Sequence, residues 1–543
     1  MRVLIVGAGP VGARLAEELL PAVRSGSIDL TIVGAEPVAA YNRVLVAEHA
    51  VGTVSLEEIM LQDAGELASA GADVRLGARV TRVDTSRRMA TVDDGTAQPQ
   101  YVPYDRIVFA TGARANIPAL DGVPRAADGR DPLGRQGAHP IGVDDRLPPG
   151  VTTLRDLADA ARVAAAVRRR DRIVVLGAGV LGLEFALLAA RSGCETVVVH
   201  HGPTPMPRNL DRGAGLTLAR SLRAAGVTVL PHSRAEAISL RHDSADAPDE
   251  TARFDALITA DGKHVHGRLL VLSCGVGARS ELADLAGLRV ARGILVDRTL
   301  TSWSDPNVHA IGDCAHVADP PANGSGDTVA GGPSGLVGPG WQQADWLAAR
   351  LMAEADGHPF DREPPRERPA IVMLKGENVE CVAVGDVTPE PWDYGPYHGS
   401  EGGLSVTLWT DPEHGAYVKT VTDRGVLTAF AAVGMPRTAA ELTLLFERGA
   451  QLPADRSLIL RHDGVDREAL EPTDSDPDAT VCWCNGVSAG QIADAALTAG
   501  ETQHGVCTVA DIGAATRAGT GCGGCRGRIQ SILDGLTDAR VPA

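Results

Sequence analysis

The sequence predicts an α/β chain: two doubly wound parallel-sheet units, then an α+β domain and a small helical unit that carries clustered cysteines. Three observations predict it. Strand-like apolar runs alternate with helical stretches across most of the first 310 residues, the pattern of doubly wound sheets. A strand, a glycine turn and a helix recur together twice, at Gly7-x-Gly9-x-x-Gly12 and at Gly177-x-Gly179-x-x-Gly182. Four cysteines near the C-terminal end stand as Cys482-x-Cys484 and Cys522-x-x-Cys525.

With 543 residues the chain is too long for one core, and roughly 100 to 200 residues per domain gives about three or four domains. Residues 1–125 and 276–360 read as one discontinuous nucleotide-binding domain and 151–275 as a second. Gly/Pro/Asp-rich stretches at 126–150, 243–251 and 318–340 read as surface loops. Residues 364–465 return to strand-like alternation and end in a helical run at 439–448, an α+β domain. The acidic, proline-containing stretch 471–480 has no apolar period and reads as a linker to the helical unit at 481–540.

Composition removes several classes of function. The formal net charge is −18 and the basic residues are scattered, which argues against nucleic acid as a partner. The start Met1-Arg2-Val3-Leu4-Ile5-Val6-Gly7 is too short an apolar run for a secretory signal or a membrane helix, so a soluble cytoplasmic protein with no membrane partner is expected. Nine cysteines are too sparse for a disulfide framework, and their clustering points to cofactor ligation in a reducing compartment.

At the first glycine turn, Gly7, Gly9, Pro10 and Gly12 lie between an apolar strand and a helix opening at Val11. Small residues there let the backbone approach a pyrophosphate and aim the helix N-terminus at it. A second strand, 30–33, is followed by Glu36, placed to bind an adenosine ribose. Alone, this pattern suits an NAD site or simply a tight turn. Two later stretches, Ile107-Val-Phe-Ala-Thr111-Gly112 and Val308-His-Ala-Ile-Gly312-Asp313-Cys314-Ala315, resemble motifs of flavoproteins built from two dinucleotide-binding domains. The resemblance implies FAD at this site, with Thr111 and Gly112 beside it and Asp313 on the ribityl chain.

The second turn continues Gly177-x-Gly179-x-x-Gly182-x-x-x-Ala186 and is the expected place for NADH or NADPH. Its next strand ends at His200-His201 where an NAD site usually carries an acid. Arg208 or Arg212 could meet a 2′-phosphate, and the residues alone leave the choice open. The stretches Val198-Val-His200, Met206-Pro-Arg-Asn-Leu-Asp211 and Ala35-Glu36-Pro-x-x-x-Tyr41-Asn42-Arg43-Val44 resemble the NADH-dependent nitrite reductase large-subunit family, which includes the electron-transfer subunit of assimilatory nitrate reductase. This resemblance implies NADH, a catalytic Glu184 near nicotinamide and flavin, Arg43 along the FAD, Glu48 near the flavin edge and His200 at the nucleotide. Distant relatives carry a lysine near Glu48, and no lysine neighbours it in sequence.

In the C-terminal unit Ser488 and Gln491 have the spacing of a capping box, which places Cys482 and Cys484 in the loop before a helix. A second helix from about Thr508 to Gly519 delivers Cys522 and Cys525 at the next helix entrance. Four cysteines suit a 2Fe-2S cluster or structural zinc; the Cys-x-Cys pair and the need for an electron exit favour iron. The segment resembles the bacterioferritin-associated-ferredoxin-like 2Fe-2S domain. Cys194, Cys274, Cys381 and Cys507 lack partner spacing and read as packing residues, and Cys314 is expected near FAD without a redox role.

No C-x-x-C or C-x4-C pair stands near the flavin motifs, which removes redox-active disulfide chemistry. Beyond the four ligands the cysteines are too few for a sirohaem and 4Fe-4S site, so the chain is expected to pass electrons on rather than reduce nitrite itself. The resemblance implies a separate molybdenum-containing catalytic nitrate reductase subunit as partner. Competing readings are a reductase of rubredoxin, ferredoxin or a nitrite reductase subunit, a docking or redox-sensing module for an iron-storage protein, and an oxygen or peroxide reductase.

Overall fold

The computed structural model describes residues 1–96, 98–123, 138–139, 147–242, 252–320, 329–365, 369–376, 379–392, 403–460, 463, 477, 480–482, 485–502, 507–520 and 525–538. The loop at 243–251, most of that at 126–150, the linker apart from 477 and 480, and the ligands Cys484 and Cys522 lie outside them.

Each glycine turn sits on a buried parallel sheet. In the first, the strand order is Val308–Ala310, Arg106–Phe109, Arg2–Val6, Asp29–Gly34 and Asp73–Leu76, so a segment from far along the chain completes the sheet. Residues of Arg2–Val6 alternate between two cores: Val3 and Ile5 meet the helices Pro10–Ser25 and Val337–Ala355, while Leu4 and Val6 meet the antiparallel sheet of Arg79–Asp84, Met89–Asp93 and Gln100–Pro103. Burial on both faces explains why these strands read as continuous apolar runs. The second sheet has the order Val151–Thr152, Leu269–Leu272, Ile173–Leu176, Thr196–Val199 and Val227–Leu230, all parallel.

The third unit is antiparallel: Val372–Gly376, Val379–Val384, Val426–Val433, Ala416–Asp423 and Leu404–Asp411, backed by the helix Pro436–Glu447. It is fused to the second unit, since Phe185 and Leu218 share a core with Leu374, Cys381 and Tyr417. The last unit packs a short hairpin, Thr480–Cys482 with Val487–Ser488, and the helices Ala489–Thr502, Val509–Thr516 and Arg526–Asp538 around Ile492, Ile512 and Ile529. Among the described residues no helix is long and apolar enough to cross a membrane.

One expected loop is partly helix. The helix Val337–Ala355 begins inside 318–340 and carries Pro339 and Gly340 in its first turn, where a missing N–H costs nothing. A Cβ on Gly340 would lie 2.7 Å from Cγ2 of Val11, and Trp341 donates its indole N–H to Pro10 O at 3.1 Å. The glycine there serves close helix packing, not a turn.

Two buried histidines tie stability to pH. His309 is 1% exposed, with Nδ1 3.2 Å from Leu300 O and Nε2 without a hydrogen-bond partner. Burial, reinforced by Arg350, pushes it down to about 3; burial also holds His200 at about 4. Unfolded, both protonate below about 6.5, so their contribution is whole above that pH and is lost as pH falls toward 4. Each should remove about 1.4 kcal/mol per pH unit across that window. Denaturant midpoints measured from pH 7 to 5 should fall steeply, and His309→Asn should reduce the slope.

Candidate active site

The first turn is built so that backbone, not side chains, faces a ligand. Gly7 has φ +115°, and a Cβ there would lie 2.2 Å from Ala110 O; one on Gly12 would lie 2.0 Å from Gly7 O. These two glycines allow the strand, turn and helix to touch. A Cβ on Gly9 meets nothing closer than Arg43 Nε at 4.0 Å. Gly9 is also the N-cap of Pro10–Ser25 and offers no capping side chain, while Pro10 opens the helix. Open backbone N–H groups at a helix N-terminus suit an anionic pyrophosphate.

Around this turn the side chains form a charged ring. Glu36 accepts the Tyr41 hydroxyl at 2.7 Å and pairs with Arg43; burial raises its carboxyl, yet these partners prevail and hold it below the ordinary range. Arg43 stands over the Tyr41 ring at 4.9 Å and donates to Arg155 O at 3.1 Å. Asp313, in the tight turn Gly312–Cys314, lies 3.7 Å from the Arg155 guanidinium. Burial raises its carboxyl, with Arg155 and Arg43 opposing. Thr111 donates to Arg279 O at 2.6 Å, and Gly112 turns with φ +68°. Arg155 and Arg279 belong to no recognisable motif, and only the fold brings them here.

The second turn repeats the design. Gly177 has φ +115°, and a Cβ there would lie 2.1 Å from Ser273 O; one on Gly182 would lie 2.6 Å from Gly177 O, whereas one on Gly179 meets nothing within 4 Å. Gly179 caps the helix Val180–Arg191 without a side-chain bond. His200, 5% exposed at the end of Thr196–Val199, stays neutral and leaves Nε2 without a hydrogen-bond partner. Arg208 and Arg212 are exposed. Asp211 points elsewhere: it caps the helix Arg212–Ala224 and binds Tyr417 at 2.5 Å and Lys419 at 3.1 Å.

Beside the second turn lies an open cleft lined by Arg43, Val44, Arg155, Gly182, Glu184, Phe185 and Gly275. The Glu184 carboxylate accepts the backbone N–H of Lys375 at 3.1 Å. Glu48, on the helix Val46–Val51, has a buried Oε2 without a hydrogen-bond partner. Burial raises its carboxyl and the charge of Lys375 lowers it. A lysine therefore does stand near Glu48, but it arrives from the third sheet, more than 300 residues along the chain.

In the last unit Cys482 and Cys525 are 1% and 8% exposed. The Cys482 thiol is pulled down to about 6, first by Cys525, then against burial by backbone N–H groups at Gly519 and Asn485 and by the Asn485 amide. The Asn485 Nδ2 lies 3.7 Å from Cys482 Sγ. Ser488 and Gln491 exchange the two bonds of a capping box, at 2.9 and 3.3 Å. Two buried cysteines, one of them held toward the thiolate, fit a metal–sulfur cluster. Elsewhere, burial pushes the thiols of Cys274 and Cys381 up to about 12 and raises that of Cys314, so they are inert packing groups.

Residues 1–334 match the profile of the pyridine nucleotide-disulphide oxidoreductases. The chain belongs to that family. Residues 480–535 of this oxidoreductase match the BFD-like 2Fe-2S binding domain, so the cofactor set is FAD, a nicotinamide dinucleotide and a 2Fe-2S cluster. The oxidoreductase is 27% identical to a nitrite reductase NAD(P)H of Bacillus subtilis over 98% of its own length and 57% of the relative's. It is 26% identical to the assimilatory nitrate reductase electron transfer subunit of the same organism, over 99% of its length and 60% of the relative's. The chain thus spans less than two thirds of the length of these two relatives. A ferredoxin reductase from Rhodopseudomonas palustris superposes with a TM-score of 0.63 at 22% identity, over 85% of this chain and 100% of that one, a likeness of fold.

Proposed function

We propose that this oxidoreductase takes electron pairs from NADH and delivers them singly, through its C-terminal cluster, to the molybdenum-containing catalytic subunit of an assimilatory nitrate reductase. The observation that carries this reading is the cleft of Arg43, Glu184 and Phe185: it brings Arg43 of the first nucleotide-binding unit to Gly182 and Glu184 of the second, and among the described residues no cysteine enters its lining. With no disulfide beside the cleft to receive the pair, the exit is the buried Cys482 and Cys525 site. The likeness to an electron transfer subunit supports the choice of acceptor.

When bound, FAD would supply a hydride acceptor able to release electrons singly, and the 2Fe-2S cluster a carrier of one electron at a time. One NADH yields NAD⁺, one proton and two electrons, enough with two protons to convert one nitrate to nitrite and water. The chain's own residues orient these events. Gly7, Gly9, Gly12 and Pro10 bind one pyrophosphate, with Glu36 on the ribose, Arg43, Thr111 and Gly112 along the flavin, and Asp313 on its ribityl hydroxyls. Gly177, Gly179 and Gly182 bind the second pyrophosphate with His200 beside the adenosine. Glu48 borders the flavin edge. Glu184 orients the nicotinamide, the backbone N–H of Lys375 holding its carboxylate.

Anaerobic titration with NADH should bleach the flavin and then reduce the cluster, and the reduced protein should drive nitrate consumption by the purified catalytic subunit. A flavin that bleaches fully over a cluster that stays oxidised overturns the relay. Glu184→Gln keeps the oxygen that Lys375 meets and removes the charge. It should slow flavin reduction about tenfold or more without changing bound FAD.

A further inference from the structure

The cluster unit is seated on the first nucleotide-binding unit, on the side where Arg43 enters the cleft. Asn42, 3% exposed and next in sequence to Arg43, donates through Nδ2 to Thr520 O at 2.7 Å. Thr520 stands two residues before the ligand Cys522. Beside it the Arg517 guanidinium lies 3.2 Å from a carboxylate oxygen of Glu17 and 3.2 Å from one of Glu18, both on the helix Pro10–Ser25. That acidic pair is itself held in place. Arg14 ties Glu18 at 3.5 Å and Asp345 at 2.5 Å, and Gln62 donates to Glu17 at 3.2 Å.

Arg517 faces both ways. Its carbonyl accepts the Asn485 amide at 2.7 Å, the same amide that lies 3.7 Å from Cys482 Sγ, and the Thr520 hydroxyl at 2.7 Å. Its backbone adopts φ +64°, a left-handed conformation at the end of Val509–Thr516 where glycine is the usual choice. One residue therefore shapes the ligand loop with its backbone and grips the flavin-side helix with its guanidinium.

We propose that Arg517 with Glu17 and Glu18, and Asn42 with Thr520, form an intramolecular docking surface that holds the 2Fe-2S unit at the flavin side of the cleft, with Arg517 as a positioning residue for electron transfer. The inference rests on the relay proposed above. With both groups bound, each passage would take one electron from reduced FAD and turn one ferric ion of the cluster ferrous; the cluster would hand that electron to the acceptor subunit before a second passage returned the flavin to its oxidised form, its protons leaving to solvent.

The full-length holoprotein tests this in two ways. Arg517→Lys places an amine where a zero-length carbodiimide can join it to Glu17 or Glu18, and with three native lysines in the chain the link is identifiable by mass spectrometry. Arg517→Glu should leave NADH-to-dye turnover unchanged and slow cluster reduction about tenfold or more, since like charges then face each other. Reversing the acids as well, Glu17→Arg and Glu18→Arg with Arg517→Glu, should restore the rate. Absence of the link together with an unchanged cluster rate in Arg517→Glu overturns the docking surface while leaving the relay standing. A slowed rate that the reversal fails to restore overturns the charge pairing as its basis. A wild-type cluster that NADH never reduces overturns the relay, and the transfer role with it, whether or not the link forms.

Discussion

Cys482→Ser should release the cluster and stop transfer to the catalytic subunit, while NADH-to-dye turnover stays within about twofold of wild type. The separation follows from construction. Cys482 sits in the core of the last unit with Ile492, Ile512 and Ile529, and no described cysteine of that unit lines the cleft of Arg43 and Glu184. A serine hydroxyl does not become an anion at neutral pH, so the ligand is lost outright, whereas merely losing a residue that supports a metal ligand costs 10- to 100-fold. Nitrate-linked turnover should fall at least about a hundredfold, with iron and inorganic sulfide lost together. Equal loss of dye turnover would mean that the unit is structural, and zinc without sulfide in the wild-type protein would remove the iron reading altogether.

Lys419→Met should be the most destabilising single change at the joint between the second and third units. Lys419 is 0% exposed, on the strand Ala416–Asp423, and its ammonium lies 3.1 Å from Asp211 and 3.3 Å from Glu390. Asp211 also accepts Tyr417 and caps the helix Arg212–Ala224. Removing the lysine leaves a nearly buried carboxylate without its counter-charge, a loss of about 3–5 kcal/mol. Asp211→Asn in addition removes the stranded charge and keeps the cap, so the double variant should recover most of the loss in denaturant unfolding at pH 7. A single variant that unfolds with wild-type protein would show that the pair contributes nothing net.

These two positions differ in how far sequence could reach them. The glycine turns, the Asp313 segment and the cysteine spacing were legible because the constraints are local: a backbone that must touch a neighbour excludes every side chain, and a cap is written within a few residues. The start of the helix at Val337 was misread because its proline and glycine resemble a loop until Val11 and Pro10 are seen packed on them. Lys375, Arg155 and Arg279 were missed for a related reason. Each reaches the site from a separate segment of the chain, and no spacing rule links them to Glu48, Asp313 or Glu36.

The sequence by itself determined the α/β class, the two places where a dinucleotide can lie and the thiolate unit beyond them, since each follows from short-range stereochemistry and ligand chemistry. Tertiary structure alone decided which charges face the cleft, that Asp211 braces a joint through Lys419, and that Arg517 meets Glu17 and, across 499 positions of chain, Glu18. Coulomb energy and desolvation depend on distance and burial, and those quantities do not exist until the separate units are packed together.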